Sequence, residues 1–145
     1  MTTVESEIEI AASAPRVWHV LADFDAYPAW NPFIPRIEGD TAVDARLSVT
    51  MAPPGRKPMR FRPMLLVADR PHELCWRGRF LVPGLFDGVH AFRIEAKGER
   101  CRFHQSEKFT GLFTHSGGAT LFPAVKAGFE AMNKALKARV EESAG

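Results

Sequence analysis

The stretch TLFPAVKAGFEAMNKALKARVEE, close to the C-terminus, constrains the fold more than any other. Phe122, Val125, Phe129, Met132, Leu136 and Val140 recur at three- and four-residue intervals, the stripe of an amphipathic helix. Thr120 is placed to cap it and Pro123 to sit in its first turn, where a missing N–H costs nothing. Lys126, Glu130, Lys134, Lys137 and Glu141 then face water. One helix of roughly twenty residues cannot bury such a stripe by itself, so the chain before it must supply an apolar surface.

That surface reads as a sheet. Val4, Ser6, Ile8 and Ile10 alternate with Glu5, Glu7 and Glu9, the period of a strand with one buried face. Turn formers cut the middle of the chain into six more strands, about Ile34–Glu38, Ala45–Met51, Met59–Ala68, Glu73–Leu81, Phe86–Ala96 and Cys101–Phe109. Their short connections predict antiparallel hairpins. After strand one, Ser13 caps and Pro15 opens a short helix ending near Asp23. Asp25 caps a second through Ala26 to Trp30, stopped by Asn31 before Pro32. The pattern predicts an α+β fold: a curved seven-stranded antiparallel sheet wrapped around a long C-terminal helix, with two short helices between strands one and two, as a single domain over 1–145. Where such a sheet curls around a helix without closing, a tapering space between them can hold a ligand.

Composition removes other classes. At 145 residues one core burying about two-thirds of the unfolded chain's surface is feasible. Lys and Arg total 19 against 17 acidic residues and are spread along the chain, which predicts no nucleic-acid partner. Cys75 and Cys101 suit a reducing compartment and lack metal-ligand spacing. His19, His72, His90, His104 and His115 form no set converging on a metal, and phosphate-loop and nucleophile-elbow sequences are missing, so no metal and no cofactor are expected. The acidic, alternating start MTTVESEIEI differs from a signal peptide, and no stretch reaches membrane-spanning length. A cytoplasmic location without integral membrane contact is expected, and monomer and homodimer stay open.

The stretches APRVWHVLADFDAYPAWNPF, GRKPMRFRPMLLVADRPHELCWRGRF, VPGLFDGVHAFRIEA, SEKFTGLF and GFEAMNKALKARVEE cover nearly the whole chain. In their order it resembles the START-like (SRPBCC) superfamily of the helix-grip, START/Bet v 1-like fold, in its bacterial polyketide cyclase/dehydrase-like branch. The resemblance implies a deep, mostly apolar cavity between sheet and long helix. In that superfamily such cavities take lipids, sterols, polyketides, hormones or other hydrophobic molecules; some members are enzymes, and others carry or sense ligands.

Strand alternation says which side chains face such a space. Leu74, Trp76, Gly78 and Phe80 share one face, as do Phe86, Gly88, His90, Phe92 and Ile94; Phe103, Gln105, Glu107 and Phe109; and Phe61, Pro63, Leu65 and Val67. His90, Gln105 and Glu107 are the polar exceptions. If Lys97 to Arg100 is a four-residue turn, Ala96 pairs with Cys101 and His90 falls opposite Glu107. A buried His–Glu pair can be purely structural, or it can be a proton-transfer pair or polar anchor in an apolar pocket. Trp30, Asn31 and Phe33 either plug one end of the core or line its entrance, while Phe129 and Met132 serve both core and cavity wall. The loop GLFTHSGGAT is either a connector or a lid.

Three functions follow as expectations: binding of a small or medium hydrophobic molecule, a cyclase-, dehydratase- or aromatase-type enzyme using His90 and Glu107, or an interaction module whose cavity its own side chains fill.

Overall fold

Alternation does build the first strand, and the chain then runs β1 (Thr2–Ile10), α1 (Ala14–Ala22), a 3₁₀ turn (Phe24–Ala26), α2 (Tyr27–Trp30), β2 (Arg36–Glu38), β3 (Ser48–Met51), β4 (Met59–Phe61), β5 (Met64–Asp69), β6 (Glu73–Phe80), β7 (Phe86–Lys97), β8 (Arg100–Thr110) and α3 (Gly118–Glu142). This computed structural model describes residues 1–80, 86–111 and 118–142, without the side chains of Phe80, Phe86, Gly118 and Ala119. The expected turn over 82–85 and most of the loop before α3 lie outside the described residues.

Five strands form an antiparallel sheet in the order β1-β8-β7-β6-β5, and β2-β3-β4 form a second. The strand expected over Met59–Ala68 is two strands, so the described residues hold eight and not seven. Pro63 explains the break, because it has no N–H for a ladder. β4 pairs with β3, β5 pairs with β6, and the chain around Pro63 stitches the sheets together. Leu47 N–H donates to the Pro63 carbonyl at 2.8 Å, and Leu65 N–H to the Ala45 carbonyl at 2.9 Å.

Val67 also departs from the expected alternation. A bulge between Leu65 and Val67 shifts the register, so Val67 stands opposite Cys75 and Ala68 opposite Leu74. Val67 therefore leaves the inward set, since an extra residue moves every later side chain to the other face.

The long helix starts at Gly118, two residues before the expected cap, and the Thr120 hydroxyl instead accepts a hydrogen bond from Arg56 Nη1 at 2.8 Å. Leu121, Val125, Phe129, Met132, Leu136 and Val140 are buried against β1, α1 and α2. Gly128 lets the helix come close, because a Cβ there would collide with the Phe33 ring. Near its other end, Glu141 accepts from Ala11 N–H at 2.8 Å and ties α3 to the end of β1.

In α1, Ser13 holds the N-cap position with extended backbone but makes no side-chain cap bond, and Asp25 falls within the 3₁₀ turn and not at a cap. Among the described residues no helix is long and apolar enough to cross a membrane.

Candidate functional site

Four neighbouring strands bring one polar couple into an apolar row. Trp76 stands opposite His90 on the β6–β7 ladder, His90 opposite Glu107 on β7–β8, and Glu107 opposite Val4 on β8–β1. The next row inward is Leu74, Phe92, Gln105 and Ser6. Because β7 and β8 meet in the register counted from the Lys97–Arg100 turn, an imidazole and a carboxyl face each other inside the sheet. His90 Nδ1 lies 3.7 Å from Glu107 Oε1, with side chains 0% and 2% exposed.

A glycine makes room for the carboxyl. Gly78 and Gly88 stand opposite each other two pairs further along, the next pair on the same face. A Cβ on Gly88 would collide with the Glu107 carboxyl, and one on Gly78 would come within 3.0 Å of the Phe61 ring. Gly88 thus leaves the space that the Glu107 carboxyl occupies, and Gly78 the space beside the Phe61 ring.

Aromatic rings close around the imidazole. Phe92 stacks on it at 4.2 Å and 25°, Trp76 meets it edge-on at 5.2 Å, and Phe129 and Phe33 lie tilted to it at 5.0 and 6.5 Å.

A hydrogen-bond chain fixes which nitrogen carries the proton. Gln105 Nε2 donates to Asn133 Oδ1 at 2.7 Å and to the Phe129 carbonyl at 3.4 Å, so its Oε1 is left as the acceptor facing His90 Nε2 at 3.0 Å. Asn133 Nδ2 in turn donates to Ser6 Oγ at 2.8 Å. This network assigns the hydrogen of neutral His90 to Nε2 and leaves Nδ1 as a lone pair toward Glu107.

Burial sets the charge state. Desolvation lowers the His90 pKa to about 4, with the Gln105 hydrogen bond opposing it, and raises that of Glu107 to about 8. Near neutral pH both are uncharged: Glu107 is a carboxylic acid and His90 Nδ1 a base, side by side. At 3.7 Å they do not satisfy each other, and among the described protein atoms neither His90 Nδ1 nor Glu107 Oε1 has a hydrogen-bond partner. Trp76 Nε1 and Asn31 Nδ2 share that condition.

The other residues expected at the site fall as follows. Phe33, Leu65, Trp76, Phe92, Phe103, Gln105, Phe129 and Met132 are fully enclosed or nearly so, with Phe61 and Phe109 close behind. Trp30 is only partly buried, against Tyr27 at 5.1 Å. Asn31 Oδ1 accepts from the Phe33 and Ile34 amides at 3.0 and 2.9 Å, which locks the turn after α2. Phe33 points into the core, its ring edge-on to Phe129 at 5.6 Å. The Phe80 and Phe86 side chains lie outside the described residues.

The sequence did not point to Asn133 and Ser6 as site residues, whereas Tyr27 stands out in it with Trp30 and Phe33 as one aromatic cluster. Asn133 was findable, since it follows Phe129 by four residues and precedes Leu136 by three, a polar residue inside an apolar stripe. Tyr27 is buried and donates its hydroxyl to the Leu21 carbonyl at 2.5 Å.

With the geometry in view, comparison with known proteins places the chain. A family model described as "Polyketide cyclase / dehydrase and lipid transport" matches residues 1–141. The chain belongs to this family. No curated protein matches it, but many solved structures do. A norcoclaurine synthase from Thalictrum flavum shares 19% identity at a TM-score of 0.76, with 99% of this chain and 96% of that one covered. A START superfamily protein from Mycobacterium smegmatis shares 20% at 0.76, covering 97% of each. The Zhui aromatase/cyclase from Streptomyces sp. R1128 shares 18% at 0.76, covering 99% and 96%. These likenesses show the START-like, helix-grip fold of the polyketide cyclase/dehydrase and lipid transport family.

Proposed function

We propose that this chain binds a small or medium hydrophobic molecule, lipid, polyketide-like or aromatic, between the sheet and α3, with His90 and Glu107 as its polar anchor. One observation carries the reading. A buried acid and a buried base, enclosed by aromatic rings, each present an atom that no described protein group satisfies. Unsatisfied buried polar atoms are costly, and a ligand hydroxyl that accepts from Glu107 and donates to His90 Nδ1 would remove that cost. The family's description, which includes lipid transport, supports the same reading.

The couple also supports an enzyme of the cyclase, dehydratase or aromatase type. Glu107 would give its proton to a substrate carbonyl oxygen while His90 Nδ1 takes one from the adjacent carbon. Relatives sharing this fold include the aromatase/cyclase and a norcoclaurine synthase solved with dopamine and hydroxybenzaldehyde. Turnover of a carbonyl compound by the wild type and not by Glu107→Gln would select this reading.

Native mass spectrometry of the purified protein against its denatured mass, followed by titration with anilinonaphthalene sulfonate, tests the proposal. The expected result is a retained low-mass compound or saturable probe uptake, weakened at least fivefold in Glu107→Gln with the circular dichroism unchanged. A ligand-free mass together with no saturable uptake by the wild type would overturn it.

A further inference from the structure

Arg46, Arg62, Arg77 and Arg79 are far apart in sequence, yet the sheet gathers them. Arg46 bridges Met64, and Met64 stands opposite Arg77. These three form one row on the outer face, because their neighbours Leu47, Leu65 and Trp76 are buried inward. Arg79 lies two positions from Arg77 on the same face, and Arg62 reaches it from the break between β4 and β5.

The four arginines and Met64 line one hollow of about 170 Å³. Arg46 Nη1 donates to the Arg62 carbonyl at 3.1 Å, which holds one guanidinium in place.

Among the described residues none of the four forms an ion pair with a carboxylate; Asp87 stands opposite Arg79 in the β6–β7 ladder. The other end of the same face differs. Arg93 lies 3.5 Å from Glu73, and Arg100 and Arg102 lie 3.8 and 3.6 Å from Glu9. Like charges on adjacent strands repel, so a hollow that concentrates four of them favours an outside anion. All four are arginines, whose planar forks match phosphate oxygens bidentately where a lysine would act only as a point charge. Drug-sized ligands occupy about 300 to 1,000 Å³, so this hollow suits a compact anion.

We propose that it is a binding site for a phosphate-bearing small molecule, a phosphomonoester or a diphosphate group. The site is separate from the apolar interior. Trp76 and Gly78 alternate with Arg77 and Arg79 and point inward, so the hollow and the apolar interior lie on opposite faces of β6.

Isothermal titration of the full chain at low ionic strength with inorganic phosphate and with pyrophosphate tests this. One-to-one binding is expected, tighter for pyrophosphate. It should weaken at least tenfold in Arg62→Gln/Arg77→Gln and change less than twofold in Arg93→Gln/Arg102→Gln, with circular dichroism reporting both variants folded. No saturable heat with the wild type, or equal loss in both variants, would overturn the proposal. So would sedimentation with phosphatidylglycerol vesicles without pyrophosphate binding, since that outcome assigns the patch to a membrane surface.

Discussion

His90 with Glu107 and His104 with Glu5 are the same two residue types joined across neighbouring strands of one sheet, on opposite faces. The outer couple is the closer, at 3.2 Å, with side chains 26% and 63% exposed. Water solvates both partners there and screens them, so the contact is worth at most about 1 kcal/mol. The inner couple is 3.7 Å apart and nearly inaccessible. Burial outweighs attraction there: it holds the histidine uncharged and the glutamate protonated, because removing two charges from water costs more than their meeting returns. The face of the sheet, more than the identity of the pair, decides whether a histidine and a glutamate form a solvated surface contact or an adjacent acid and base.

Truncation gives the widest separation between the two. His90→Ala removes a ring packed against Phe92, Trp76 and Phe129 and strips Gln105 Oε1 of its donor. It is expected to destabilise by about 3 kcal/mol, against under about 0.5 kcal/mol for His104→Ala, both read by urea unfolding at pH 7. Similar losses at the two sites would break the comparison.

A smaller effect sharpens it. With its folded pKa raised from 4.5 to about 8, Glu107 is protonated in the fold and ionised in the unfolded chain across that window, so stability falls as pH rises through it. His90, lowered from 6.5 to about 4, acts oppositely: stability falls as pH drops from 6.5 towards 4, because only the unfolded chain takes up the proton. Between pH 6.5 and 8 Glu107 acts without that opposition. Wild type is expected to lose about 2 kcal/mol there that Glu107→Gln keeps, measured as the difference between their urea unfolding curves at the two pH values. Parallel losses in the two proteins would assign the pH dependence elsewhere.

The hairpin shows what could be read in advance. A tight turn and strict alternation set β7 against β8, so counting back from Ala96 and Cys101 reaches His90 and Glu107 without any tertiary information. The family pattern likewise carried the sheet-around-helix arrangement. Alternation failed where the backbone departs from it: at Pro63, which splits one strand between two sheets, and at the bulge that turns Val67 outward. Asn133 and Ser6 come from opposite ends of the chain, and only packing of α3 on β1 reveals that they complete the network holding His90. The arginine hollow was hidden for a similar reason. Basic residues dispersed along the sequence gave no sign that a bridge and a ladder would collect four of them.

Imidazole ¹⁵N NMR of the labelled protein, followed from pH 8 to pH 5, tests the central claim most directly. His90 is expected to stay neutral throughout, with its hydrogen on Nε2 bonded to Gln105 and Nδ1 bare toward Glu107. An imidazolium at pH 6, or a hydrogen on Nδ1, would contradict it, because the couple would then be an ordinary buried ion pair or a tautomer with no free base to offer a ligand.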